Sequence, residues 1–143
     1  MIHGIGTDIV HIPRITAALQ RFGDRFAHRV LNQREFSDLA DVIRKDVFLA
    51  KRFAVKEAAA KAMGTGFRKG VAMCDISLGH DALGRPILSF HGAAGKMRAD
   101  LGIGDAHVSV SDEKEYALAF VTLMRNGTFR GPGASDMKVG SNQ

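Results

Sequence analysis

The sequence predicts an α+β domain with helices packed on a mostly antiparallel sheet. Three observations carry that expectation. The N-terminal segment IHGIGTDIVHI is β-branched and alternates imperfectly, as a strand does. Near the other end, HVSVSD and YALAFVTLM flank the short segment EKE, a hairpin signal. Between them lie stretches whose apolar residues recur at helical spacing.

Taken in order, the first strand is expected over 2–9, with Ile5, Thr7 and Ile9 on one face and Gly6, Asp8 and Val10 on the other. Pro13 suits the first turn of a helix in which Ile15, Leu19, Phe22 and Phe26 share a side, and Gly23 marks a stop or a kink. Asn32 caps a short helix over 33–40, with Glu35 at its third position. A longer helix follows over 44–63. Phe48, Val55, Ala59 and Ala62 form its apolar stripe, and Ala50, Ala54 and Ala58 permit close backbone approach. GTGFRKG (64–70) has three glycines and no periodicity, so it is a loop. Strands over 75–79 and 86–90 are joined by a turn at Gly84, a helix over 92–102 ends at Gly102, and the hairpin strands fall at 107–112 and 116–124. The order is β-α-α-α-β-β-α-β-β. From Asn126 the chain is rich in Gly, Ser and polar residues, which predicts a domain over 1–125 and a flexible tail over 126–143.

Composition narrows the function. The 143 residues, 45% of them hydrophobic, suffice for one domain with its own core. Cys74 is the single cysteine, which excludes an intrachain disulfide and a cysteine zinc cluster and suits a small core residue. No apolar window is long enough to span a membrane, and MIHGIGTDIV is not built like a secretory signal, so the expected location is the cytoplasm. The net charge of +5 is uneven: residues 1–70 hold 13 Lys/Arg against 7 Asp/Glu, and residues 71–143 hold 7 against 8. A one-sided positive field suits an anionic partner. Arg14, Arg21 and Arg25, spaced seven and four apart with nothing acidic four residues away, form either a solvated basic face or a docking strip.

Three residues stand out chemically. Asp8 lies in an otherwise apolar strand, where a carboxylate serves as a strand-end or capping group, or else needs a partner or a metal. Glu57 and Lys61 are one turn apart, the spacing of an exposed pair contributing a few tenths of a kcal/mol. Phe53 precedes them on the same stripe and Ala50 and Ala54 lie beside it, so the carboxylate is expected to point into a cleft. Gly64, Thr65 and Gly66 follow at once, and such a loop lets amide groups approach a phosphate. The spacing is neither a P-loop nor a dinucleotide fingerprint. No histidine pattern suggests zinc, and Cys74 and Ser111 lack the partners of a hydrolase triad. Two carboxylates, a lysine, a phosphate-friendly loop and a basic flank together point to a Mg2+-dependent enzyme acting on a phosphate ester.

GIGTDIV (4–10), RFAVKEAAAKAMGTG (52–66) and HVSVSD (107–112) resemble, in order and spacing, the signature segments of the bacterial holo-[acyl-carrier-protein] synthases. These are the small branch of the 4′-phosphopantetheinyl transferases. The resemblance implies that family's fold, and transfer of 4′-phosphopantetheine from coenzyme A to a serine of apo-acyl-carrier protein, with release of adenosine 3′,5′-bisphosphate, in fatty-acid biosynthesis. It implies Asp8 and Glu57 as Mg2+ ligands, Lys61 at the reacting phosphate, Gly64, Thr65 and Gly66 as lining of the coenzyme A cleft, and Arg52 at a nucleotide phosphate. It also implies a homotrimer with active sites between subunits, in which Pro86 and His107 serve a neighbour's site. The serine proton would go to Glu57 directly or to a metal-bound water that Glu57 orients. Acyl-carrier proteins are acidic, which gives Arg14, Arg21 and Arg25 a partner.

The chain departs from the family pattern in two places: Asp112 stands where a second histidine is common, and Ala60 where a serine is. Two alternatives remain open. One is the same transferase serving polyketide or peptide-synthase carriers. The other is a non-catalytic RNA- or anion-binding module, although the chain has no Trp, a single Tyr and no aromatic pair suited to stacking bases. No nucleic-acid or membrane partner is expected.

Overall fold

The computed structural model describes residues 1–127; the predicted tail lies outside them except for Asn126 and Gly127. β1 (Ile2–His11) leads into α1 (Ile12–Phe22), α2 (Asp24–Val30), α3 (Gln33–Leu39) and α4 (Lys45–Met63). A single 3₁₀ turn then precedes β2 (Ile76–His80) and β3 (Pro86–Phe90), followed by α5 (Gly92–Asp100), β4 (Ile103–Glu113) and β5 (Tyr116–Arg125). All strand pairs are antiparallel, as the sequence predicts. They form two sheets rather than one: β1-β5-β4, with β5 central, and the separate hairpin β2-β3.

Most boundaries fall within two residues of the sequence expectation, and two differences are larger. Gly23 divides the first predicted helix in two, its φ of 56° lying in the left-handed region that glycine tolerates. β4 begins at Ile103, four residues early, because a register irregularity between Ile103 and Ala106 breaks the alternation by which strands are recognised.

The core lies between α4 and the inner face of the larger sheet. β5 alternates strictly there: Ala117, Ala119, Val121 and Leu123 are buried, whereas Tyr116, Leu118 and Phe120 are exposed. Opposite them, α4 buries Leu49, Ala50, Ala54, Val55, Ala58, Ala59 and Ala62. The alanines matter for distance. A Cβ added to Gly6 would strike the Ala58 carbonyl oxygen, and one added to Gly4 would strike that of Ala62. Helix backbone and strand backbone therefore touch with no side chain between them. This close seam sets α4 beside Asp8.

Candidate active site

Asp8 faces α4, on the same side of β1 as Gly6 and Val10, and pairs in register with Ala119 of β5. Its neighbours Thr7 and Ile9 point the other way and are exposed. Small inner-face residues leave Asp8 half-buried at the seam. Lys61 reaches it from the last turn of α4: the ammonium lies 3.2 Å from Asp8 Oδ1 and donates to the Thr7 carbonyl at 3.1 Å. Local helix spacing offers Glu57 as the partner of Lys61; the structure gives it Asp8 instead, an ion pair across two elements.

Glu57 is half-buried one turn earlier on the same stripe as Lys61. Burial pushes its carboxyl above the ordinary range, the charge of Asp8 pushes it further, and Lys61 opposes both. That Asp8 acts on Glu57 places the two carboxylates within electrostatic reach of each other. Among the described residues no group of three or more His, Cys, Asp or Glu side chains could hold a metal. Two carboxylates form a hard oxygen set that water and phosphate oxygens can complete, which suits Mg2+.

α4 ends at Gly64, whose φ of 85° caps the helix, and the Gly66 amide turns back to the Ala60 carbonyl at 3.2 Å. Nothing lies within 4 Å of where a side chain would project from Gly64 or Gly66. The Gly-Thr-Gly loop thus opens beside Lys61, as the sequence order requires.

Other predicted residues lie elsewhere. Arg52 is on α4, but its side chain turns to α3 and β2, away from the seam. It is 8% exposed, its guanidinium stacks on Phe48 at 3.7 Å, and Nη2 donates to the Leu78 carbonyl at 3.4 Å. Pro86 and His107 meet in a cleft of about 360 Å3 together with Arg85 and Arg98. His107 stands on the outer face of β4, in register with Thr122, so within one chain the sheet separates it from Asp8. Arg14 and Arg21 are exposed on α1, and Arg25 is exposed on α2. The break at Gly23 corrects the picture of one continuous row. None of the three takes part in an ion pair among the described residues.

One feature was missed at the level of sequence. Lys56, adjacent to Glu57, is fully buried and donates to Glu35 Oε1 at 2.6 Å and to the Val30 carbonyl. Glu35 reads in sequence only as a capping residue. The signal was available in the pair Arg52 and Lys56, two cations one turn apart on a helix face with no acid at that spacing. Asp112, one of the departures from the family pattern, pairs with Lys51 at 3.1 Å.

Residues 4–121 match the family model of the 4′-phosphopantetheinyl transferase superfamily. The holo-[acyl-carrier-protein] synthase of Nitrosococcus oceani is 50% identical over 135 residues, covering 94% of this chain and 88% of that one. The crystal structure of the same kind of protein from Neisseria meningitidis superposes with a TM-score of 0.84 at 44% identity, covering 87% of this chain and all of that one. A Bacillus anthracis synthase in complex with coenzyme A (3′,5′-ADP) superposes with a TM-score of 0.74 at 36% identity, covering 89% and 99%.

Proposed function

Because the chain belongs to the holo-[acyl-carrier-protein] synthases of the 4′-phosphopantetheinyl transferase superfamily, we propose that Asp8, Glu57 and Lys61 are its reaction centre. The reaction transfers 4′-phosphopantetheine from coenzyme A to a serine of an apo-acyl-carrier protein and releases adenosine 3′,5′-bisphosphate. A single observation carries this reading: the bond between Lys61 and Asp8 across the β1–α4 seam, with Glu57 beside it.

Asp8 and Glu57 would hold Mg2+, which when bound supplies Lewis-acid neutralisation of the diphosphate. The mutual repulsion of the two carboxylates supports this, because a divalent cation relieves it. Lys61 supplies a fixed positive charge where negative charge grows on the reacting phosphate. The serine oxygen forms a bond to phosphorus as the diphosphate P–O bond breaks and the nucleotide leaves. The serine proton passes to Glu57 directly or to a water that Glu57 orients. Gly64, Thr65 and Gly66 line the approach of the diphosphate. Arg52 receives a nucleotide phosphate, and Arg14, Arg21 and Arg25 receive the acidic carrier.

The protein works as a homotrimer in this reading. Ile5, Ile9, Leu118 and Phe120 are each 45% or more exposed on the outer face of the β1-β5-β4 sheet. An apolar face of this kind on a folded domain marks a contact surface. Pro86 and His107 then complete a neighbour's site, which accounts for their separation from Asp8. Among the described residues no helix is long and apolar enough to cross a membrane, and substrate and carrier place the reaction in the cytoplasm, in fatty-acid biosynthesis.

The test is to incubate the protein with coenzyme A, Mg2+ and a competent apo-acyl-carrier protein and to follow the carrier's intact mass. A phosphopantetheine adduct is expected; its absence would sink the proposal and leave the non-catalytic anion-binding reading. Adducts on polyketide or peptide-synthase carriers, but not on fatty-acid carriers, would reassign the partner.

A further inference from the structure

Glu35 is the centre of a buried ionic cluster with Arg52 and Lys56. Its side chain is 4% exposed. Oε1 accepts from Lys56 Nζ at 2.6 Å and from the Asn32 amide at 3.1 Å; Oε2 accepts from the Leu78 amide at 3.1 Å and lies 3.3 Å from Arg52 Nε. One carboxylate thus ties α3, α4 and β2 together and faces two cations at contact distance. Asp38 adds a weaker, longer-range attraction for Arg52.

The cluster is poorly suited to stability alone. Burying three charges costs several kcal/mol per ion by general estimate, and apolar replacements often serve as well. Its hydrogen bonding is also incomplete. The Arg52–Glu35 contact is an ion pair without hydrogen-bond geometry, and Arg52 Nε is the one buried side-chain polar atom without a hydrogen-bond partner among the described residues. What the cluster does achieve is a fixed guanidinium. Arg52 is held on its face by Phe48, on its Nε side by Glu35 and at Nη2 by Leu78. It nevertheless lines two concavities, one of about 650 Å3 against β2 and β3 and one of about 410 Å3 beside Phe48 and Lys51. A planar donor fork locked in place at the wall of a cavity is pre-organised for a phosphate.

We propose that Glu35 is a positioning residue: it fixes the Arg52 guanidinium in the orientation that receives a nucleotide phosphate of coenzyme A, while Lys56 holds Glu35 in place. The inference rests on the proposed function for the identity of the ligand, and adds the residue that sets the ligand's affinity. Glu35 lines the larger cavity alongside Arg52 and acts on the phosphate through Arg52, while Asp8, Glu57 and Lys61 carry the chemistry. Its loss therefore acts on nucleotide binding and not on the chemical step. Burial disfavours the charged form of Arg52, and Glu35 is the main group opposing this. Lys56 in turn holds Glu35 by contact at 2.6 Å.

The experiment compares the wild-type protein with Glu35→Gln and Glu35→Asp. Glu35→Asp keeps the charge but draws the carboxylate back from Arg52 and Lys56 by one methylene, and its fold is checked by circular dichroism. Binding of adenosine 3′,5′-bisphosphate is measured by calorimetry, and KM for coenzyme A, KM for the carrier and kcat by the carrier mass assay. In Glu35→Asp, a rise of about tenfold or more in both Kd for the bisphosphate and KM for coenzyme A is expected, the range for a misaligned charged hydrogen bond. Its kcat and its KM for the carrier should stay within about threefold of wild type. Glu35→Gln, where it folds, should show the same split more strongly. Unchanged bisphosphate affinity in a folded Glu35→Asp overturns the proposal, as does a fall in kcat with KM for coenzyme A intact, the mark of a merely structural role. The underlying functional reading fails separately, when the wild-type protein itself gives no adduct.

Discussion

Lys61 and Glu57 show how the same residue types mean different things on one helix. Lys61 spans to Asp8 instead of pairing along α4, so its charge is anchored to a strand. Lys61→Ala should lower kcat by about 10²–10³-fold, the loss typical of a positioned electrostatic group, with little change in KM for the carrier. Steady-state kinetics with the carrier mass assay will check this, and a loss confined to KM would remove Lys61 from the reacting phosphate. A second residue, Asp46, gives a prediction in pH. The Arg44 hydrogen bond holds its carboxyl below the ordinary value of 3.8, assisted by Thr16 and the Val47 amide. A depressed folded-state pKa stabilises the fold above the ordinary value, and that contribution is lost as pH falls through the depressed one. Asp46→Asn should therefore lower Tm by a few degrees at pH 7, about the value of one hydrogen bond, and the difference should close below pH 3.8. Thermal melts of both proteins across that range will show it.

Among the elements, the β1–α4 seam governs the site. Gly4 and Gly6 are required by contact, since a methyl group at either would collide with helix carbonyl oxygens. Gly6→Ala should cost about 3 kcal/mol, the upper end for overpacking, because the colliding atoms are backbone and cannot swing away. A fall in Tm of roughly 10 °C follows for a domain of this size; a shift below a few degrees would mean that the seam is looser than it looks. Much of this was legible beforehand. The alternation in GIGTDIV put Gly6 and Asp8 on one face, and the alanines of α4 pointed to close approach. The partner of Lys61 was not legible, because helix spacing sees only neighbours along the chain and Asp8 is brought by the fold. The Glu35–Lys56 contact was hidden for the same reason: its members lie 21 residues apart, and each has an innocent local reading.

For the molecule as a whole, the sheet has two faces with different tasks. The inner face is core; the outer exposes Ile9 at 64% and Phe120 at 45%. Phe120→Glu on this surface should yield monomers by sedimentation or light scattering and abolish transfer with the fold intact, since each chain would then lack its neighbour's Pro86 and His107. A fully active monomer would refute the shared site. Charge is likewise distributed at this scale. Arg14 and Arg21 lie on α1 and Arg25 on α2, across the break at Gly23, so the basic surface spans two elements. Arg14→Glu should raise KM for the carrier about tenfold or more at low salt, and less as salt is added, while KM for coenzyme A is unchanged. Equal effects on the two constants would argue against docking there. The sign of this surface is legible in the sequence charge; its division between two helices depends on one glycine's φ.

The adjacency of Lys56 and Glu57 carries a last consequence. One is sealed in the interior and the other looks into the site, so α4 has a single allowed phase about its axis. Deleting one residue from Ala58–Ala60 would turn all that follows by about 100° and shift it along the axis by about 1.5 Å. Lys61 would leave Asp8, while the composition of the helix and its helical propensity hardly changed. The three alanines are therefore a spacer whose count is specified as strictly as any charged group: their smallness sets how near the strand comes, and their number sets where the lysine points.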